Sequence, residues 1–122
     1  MARRPGPGLA GIPLTFREVS RSFAVITGHW KTGTNMDWTP YAKIDTLVIL
    51  MGTKQRVLIA ESLIAAGRNE REPVAFVEQG SMTGQRVVET ELMAVAEGKV
   101  EVNGPAVIVV GEVVRQRRRL AK

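Results

Sequence analysis

The sequence lacks most of the residue patterns that mark a self-contained catalytic centre. Its 122 residues include no cysteine and a single histidine, His29. Disulfide frameworks, thiolate zinc sites and cysteine nucleophiles are therefore excluded. A lone histidine leaves no histidine cluster for a metal, and the H-E-x-x-H and G-x-S-x-G patterns do not occur. The carboxylates are scattered without a marked pair, so the sequence predicts no catalytic residue and no metal site.

Long apolar runs are also missing. None approaches the ~20 residues that an α-helix needs to cross a bilayer. The first residues, "MARRPGPGLAG", have positive charge but not the apolar segment of a secretory signal. With 44% hydrophobic and 24% charged residues, the composition is typical of one globular domain. We therefore expect a soluble cytoplasmic protein without a membrane partner.

Positive charge is concentrated at the two ends of the chain. The net charge is +5, and much of the excess comes from Arg3, Arg4, Arg115, Arg117, Arg118, Arg119 and Lys122. Such a basic tail could bind nucleic acid, or it could be the solvated end of a final helix. We favour the solvated helix, because no recognised nucleic-acid motif accompanies the arginines.

Strand and helix patterns alternate along the chain. Asp37 is a candidate cap for a short helix that contains Pro40, and Thr53 for the longer helix that ends at Gly67. We predict strands at 22–29, 46–52, 73–80, 85–88 and 106–111, and helices at 54–67, 89–97 and 112–122. The strands are continuous apolar runs, which indicates a sheet covered on both faces. The expected fold is α/β, a mixed, mostly parallel sheet of about five strands flanked by helices.

Candidate ligand positions follow from the strand ends, since open α/β sheets bind ligands outside the carboxyl ends of their strands. Met51 ends "TLVILM" with a polarizable thioether that could form a wall for a flat ring. Gly80 would let backbone approach a ligand closely. From periodicity alone, Met51 as core and Gly80 as a plain turn are the favoured readings.

Several blocks of sequence resemble the tetrapyrrole methylase family, in the right order over about residues 10 to 120. They are "AGIPLTFREVSRSFAVITGH", "DTLVILMG", "PVAFVEQGSMTGQRVV" and "GPAVIVVGEVVRQRRRL". Within the family, these blocks resemble those of the uroporphyrinogen-III C-methyltransferases. The resemblance implies two α/β domains with an S-adenosylmethionine site between them. The first-domain motifs G-x-G-P-G-D and G-G-D-P do not occur here. We therefore interpret residues 1–10 as a linker or truncated interdomain segment and residues 11–122 as the C-terminal domain alone.

The resemblance also implies site residues. Met51 matches the family's cofactor-contacting methionine, and Gly80 matches a small residue whose backbone lies beside the cofactor. Ile108, in the last strand, is the best match for a main-chain contact to the adenine. Arg17, Arg21 and Lys31 are candidates for steering the polycarboxylate substrate, although surface solvation is the favoured role for any one of them.

The implied activity is methyl transfer to uroporphyrinogen III, which forms precorrin-2 in the siroheme and cobalamin pathways. The missing N-terminal domain would be required, and full-length family members are usually homodimers. Phe16 replaces the histidine of the family's P-L-T-H-R segment. This difference leaves open another substrate of the superfamily, such as a precorrin or the modified histidine of diphthine synthesis. A basic nucleic-acid-binding module is the alternative from a different functional class.

Overall fold

The computed structural model describes most of the chain outside the N-terminal segment and three loops. The described residues are 8–9, 12–13, 22–28, 36–78, 86–102 and 104–120. The strands are β1 Gly8–Leu9, β2 Ile12–Pro13, β3 Phe23–Thr27, β4 Thr46–Leu50, β5 Pro73–Glu78, β6 Arg86–Glu91 and β7 Ala106–Val110. The helices are α1 Arg56–Ala65, α2 Leu92–Ala96 and α3 Val113–Leu120, with 3-10 turns at Thr39–Tyr41 and Thr53–Gln55.

Five strands form the central sheet in the order β3-β4-β7-β5-β6, while β1 and β2 form a separate hairpin. The prediction of a mixed five-stranded α/β fold is confirmed. The prediction that the sheet is mostly parallel is wrong, because only β3 and β4 run parallel and the other three pairs are antiparallel. Continuous apolar strands reflect coverage of both faces of a sheet, and that coverage does not fix strand direction.

The two faces of the sheet are covered by different helices. Strand alternation sends Ile49, Phe76 and Ile108 to the face on which α1 and α2 pack, in the larger hydrophobic core. The opposite face contributes Ala75, Val77 and Val109 to a smaller core with Val113 and Val114 of α3. Within the described residues, no helix is long and apolar enough to cross a bilayer.

Helix α1 ends where the sequence predicts. Gly67 has a φ of 119°, a left-handed conformation that glycine adopts without steric cost. Its N–H donates to the carbonyl of Ile64, and the N–H of Arg68 donates to that of Leu63. These two bonds form a Schellman motif, which satisfies the last carbonyls of the helix. The motif also turns Arg68 back toward the start of β4, where its guanidinium is buried.

Two boundary predictions are wrong. The segment predicted as a strand at 85–88 and a helix at 89–97 instead forms β6, which continues to Glu91, and then α2. Residues 89–91 are strand because β6 pairs with the full length of β5, from Glu78↔Arg86 to Pro73↔Glu91. This tertiary pairing overrides the local helix preference of "ETEL".

Thr53 does not cap α1 with its side chain. A 3-10 turn precedes the helix, Gln55 occupies the N-cap position, and no side chain there bonds to the helix. The hydroxyl of Thr53 bonds to Ala106 instead.

The predicted cap at Asp37 is present in a modified form. Trp38 occupies the N-cap position of the turn that contains Pro40, while the Asp37 carboxylate accepts the N–H of Thr39 at 3.0 Å. This bond lowers the pKa of the exposed Asp37 carboxyl, and a separate, smaller interaction with the Thr39 side chain lowers the pKa further.

Candidate functional site

Met51 marks the point at which the chain leaves the sheet. It follows the last residue of β4 and has a φ of 56°, the only positive φ of a non-glycine residue in the described part of the chain. A left-handed conformation costs an L-residue roughly 1–2 kcal/mol. The side chain is 66% exposed, so Met51 is not core. A strained, exposed apolar residue at a strand tip is a feature of functional sites.

Two glycines allow this turn to pack closely against β3. The N–H of Gly28 donates to the carbonyl of Leu50 at 2.6 Å. A Cβ atom on Gly28 would lie 2.7 Å from the Cα of Gly52, and one on Gly52 would lie 2.9 Å from Cγ2 of Ile49. Both positions therefore require glycine, and together they fix where Met51 sits beyond the sheet.

An open crevice of about 830 Å³ lies beside Met51. Its volume is within the range of small-molecule sites, roughly 300–1,000 Å³. One side is formed by the end of β4 and the turn into α1, and the other by the segment that enters β7. The lining residues are Leu50, Met51, Thr53, Lys54, Gln55, Arg56, Val102, Gly104, Pro105, Ala106 and Val107.

The three predicted cofactor residues have different positions. Met51 lines the crevice. Ile108 is buried in the sheet between Ile49 of β4 and Phe76 of β5, and the residues of its segment that line the crevice are Ala106 and Val107. Gly80 lies outside the described residues, so all three cofactor roles stay predictions. The other residues of interest that lie outside them are Phe16, Arg17, Arg21, His29 and Lys31.

The sequence did not indicate two side chains, Thr53 and Arg56, whose hydrogen bonds connect the turn after β4 to the segment that enters β7. The Thr53 hydroxyl accepts the N–H of Ala106 at 3.2 Å and donates to its carbonyl at 3.3 Å. Arg56 donates to the Val100 carbonyl from Nε and Nη2, at 3.3 and 3.2 Å. Thr53 was predicted to cap α1 with its hydroxyl. The hydroxyl does bond to backbone, but its partner is Ala106 and not the start of the helix. No sequence pattern marked Arg56.

The lining of the crevice is mostly apolar. Carbon, sulfur and backbone groups predominate on its lining, and Lys54 adds an exposed cation. Among the described residues, no group of three or more histidine or acidic side chains could hold a metal ion. Among the described side chains of the C-terminal arginine helix, none lines the crevice, and Arg115 is paired with Glu112.

Comparison with known proteins identifies the family. Residues 6–96 match the model of the Tetrapyrrole (Corrin/Porphyrin) Methylases. The chain belongs to the tetrapyrrole methylase family. The fold agrees, because the native uroporphyrin III C-methyltransferase of Thermus thermophilus is 48% identical and superposes with a TM-score of 0.79, over 88% of this chain and 48% of that one. A second structure of that enzyme, complexed with S-adenosyl homocysteine, gives the same identity and TM-score.

Curated relatives include the siroheme synthase of Salmonella typhi, which is 45% identical over 112 residues. The match covers 91% of this chain and 24% of that protein, so the chain spans about a quarter of the length of such relatives. Cobalt precorrin-4 methyltransferase, at 18% identity and a TM-score of 0.71, shows the fold alone.

Proposed function

We propose that this chain is the C-terminal domain of an S-adenosylmethionine-dependent C-methyltransferase that acts on uroporphyrinogen III. Residues 11–122 would form one wall of the cofactor cleft, and an N-terminal domain would form the other. The product would be precorrin-2, the precursor of siroheme and cobalamin. The full-length protein would act as a homodimer, as the family resemblance implies.

The single observation on which this proposal rests is the position of Met51. The family resemblance assigns this methionine to the cofactor, and the side chain projects from a strand tip into a crevice instead of the core. The relative solved with S-adenosyl homocysteine is 48% identical to this chain, which supports the same cofactor class here. A polarizable thioether suits contact with an adenine ring.

The crevice suits methyl transfer because that reaction needs little covalent help from the protein. When a sulfonium and a nucleophilic ring carbon are held in line, a C–C bond to the methyl group forms as its S–C bond breaks. S-adenosylhomocysteine is the leaving group, and the methylated ring then loses a proton to water. Holding two reactants in this geometry can lower the barrier by roughly 7–11 kcal/mol. Apolar and backbone surfaces provide such positioning. In this proposal the chain therefore positions the cofactor, and no residue of it acts as a general acid or base.

A titration with S-adenosylhomocysteine tests the proposal. We expect weak binding by the 122-residue chain alone and tight binding by a fusion to the half of the Thermus thermophilus relative that this chain does not cover. Isothermal calorimetry measures both affinities. Equally tight binding by the chain alone would contradict the dependence on a second domain, and no binding by either protein would contradict the cofactor assignment.

The substrate is tested separately. We expect the fusion to transfer methyl groups to uroporphyrinogen III in preference to cobalt-precorrins and to the diphthine precursor. Mass spectrometry of the products gives the number of methyl groups added. Preference for one of the other acceptors would keep the family and the cofactor but reassign the substrate.

A further inference from the structure

The hydroxyl of Thr53 replaces a missing strand partner at the crevice. Strand β4 pairs with β7 through Leu47↔Val110, Val48↔Val109 and Ile49↔Ile108. The same register would place residue 51 opposite Ala106, but the left-handed Met51 turns the chain away from the sheet. Ala106 is only 5% exposed, so its backbone groups need partners inside the protein. Thr53 Oγ1 bonds to both of them.

Arg56, three residues after Thr53, adds a second connection between the same two segments. Its Nη1 donates to the Thr53 carbonyl at 2.8 Å, while Nε and Nη2 bond to the carbonyl of Val100. The guanidinium therefore joins the turn after Met51 to the chain that leads into β7. Planar guanidinium groups hold such geometries with less entropy loss per bond than lysine does.

The two side chains thus join the turn after β4 to the segment that enters β7. Thr53 bonds to that segment at Ala106, which lines the crevice, and Arg56 bonds to it at Val100, two residues before the lining begins at Val102. Between these points lie Val102, Gly104 and Pro105, which line the crevice. We call Thr53 and Arg56 the crevice clip.

We propose that the crevice clip consists of two positioning residues that set the width of the cofactor site and hold Met51 in its left-handed conformation. Strained residues persist only where their surroundings over-determine them, and the clip supplies that constraint immediately after Met51. A site built in advance binds more tightly, because less ordering remains to be done on binding. This inference rests on the proposed function for the identity of the ligand.

The test replaces Thr53 with valine, which has the same shape and no hydroxyl. Thr53→Ser retains the hydroxyl, and Thr90→Val makes the same chemical change on β6, away from the crevice. Nitrogen-15 spectra of each chain report the exchange rate of the Ala106 amide without ligand. Titration with S-adenosylhomocysteine, followed by the same spectra, gives the affinity.

In Thr53→Val we expect the Ala106 amide to exchange roughly tenfold faster, since one buried hydrogen bond contributes about that factor. We expect the affinity for S-adenosylhomocysteine to fall about tenfold. Thr53→Ser and Thr90→Val should stay close to the unsubstituted chain in both measurements. If Thr53→Val does not fold, Arg56→Lys replaces it, with weaker binding expected from loss of the forked contact to Val100.

The outcomes separate the two proposals. If the unsubstituted chain binds S-adenosylhomocysteine and the clip variant binds it equally well, the positioning role is overturned and the proposed function stands. An Ala106 amide that stays protected in Thr53→Val likewise overturns the role of the hydroxyl. If the unsubstituted chain does not bind, alone or in the fusion, the proposed function fails and the clip loses its cofactor role with it.

Discussion

Strand β4 begins and ends against side chains that bond to backbone, but the two ends differ in what they enclose. At its start, the buried guanidinium of Arg68 donates to the carbonyls of Tyr41, Ile44 and Asp45. It also forms a forked pair with the Glu72 carboxylate, both bonds 2.7 Å long. The Arg68 end is therefore electrostatically satisfied, and the pocket beside Arg68, of about 230 Å³, is much smaller than the crevice at the other end of the strand.

The end at Met51 is open. Strand β4 stops at a strained residue, and Met51 and both residues of the crevice clip line a crevice of about 830 Å³. Both ends use arginine to bind carbonyls, and at this end the exposed side chain of Met51 lies beside them on the lining of the crevice. Under the proposed function, the same strand is therefore fixed for stability at its start and shaped for cofactor binding at its tip. Natural sites often retain such strain at a cost in stability.

The largest expected effect is at the Arg68 end. Arg68→Met should lower the free energy of unfolding by about 3 kcal/mol, because it leaves the mostly buried Glu72 carboxylate without its partner. Urea denaturation measures this loss. The folded fraction should still bind S-adenosylhomocysteine as the unsubstituted chain does. If Arg68→Met instead weakened the binding of S-adenosylhomocysteine and left the free energy of unfolding unchanged, the two ends of β4 would not have different roles.

Gly28→Ala should disturb both stability and binding. The new methyl group would lie 2.7 Å from the Cα of Gly52, so the turn that presents Met51 would have to move. We expect a loss of about 2 kcal/mol in the free energy of unfolding, together with weaker binding of S-adenosylhomocysteine. Gly98→Ala is the control, since it meets no atom within 4 Å and has only a left-handed φ of 75° to accommodate. It should cost about 1 kcal/mol and leave the affinity unchanged.

Met51→Gly should separate stability from binding at the open end. Glycine removes the cost of the left-handed conformation, so the free energy of unfolding should rise by about 0.5 kcal/mol. Binding of S-adenosylhomocysteine should weaken, because the apolar wall is lost. Met51→Leu keeps both the strain and an apolar side chain, so its stability should match that of the unsubstituted chain. Undiminished binding by Met51→Gly would show that this side chain is not a ligand wall.

Much of this fold could be predicted from residues whose local effect is strong. Gly67 ended α1 and Pro73 opened β5 because glycine and proline constrain the backbone whatever surrounds them. Strand direction could not be predicted, because apolar runs report burial and not the path of the chain. The end of β6 was missed for a related reason, since its pairing with β5 is a long-range interaction.

The candidate site was predictable only in part. Met51 could be singled out from its place before Gly52 at a strand end, and the family resemblance then favoured a ligand role. Its left-handed conformation had no sequence signal. Thr53 and Arg56 bond to Ala106 and Val100, more than 40 positions away along the chain. Such contacts depend on how β7 lies beside β4, which local patterns do not specify.

The smallest expected effect concerns the turn that Arg68 binds. Asp37 bonds to the N–H at the start of this turn, and Arg68 bonds to the carbonyl of Tyr41 at its end. The pKa of Asp37 is lowered in the folded chain below its ordinary value of 3.8. The stabilisation is therefore fully present above that value and is lost as the pH falls through the lowered pKa.

Asp37→Asn retains a side-chain acceptor without the charge. It should be slightly less stable than the unsubstituted chain at neutral pH, and the two unfolding midpoints should converge in acid. Thermal unfolding over a series of pH values measures the difference. A difference that does not change with pH would mean that the Asp37 charge does not stabilise this turn. The start of β4 would then depend on Arg68 without an electrostatic contribution from the Asp37 cap.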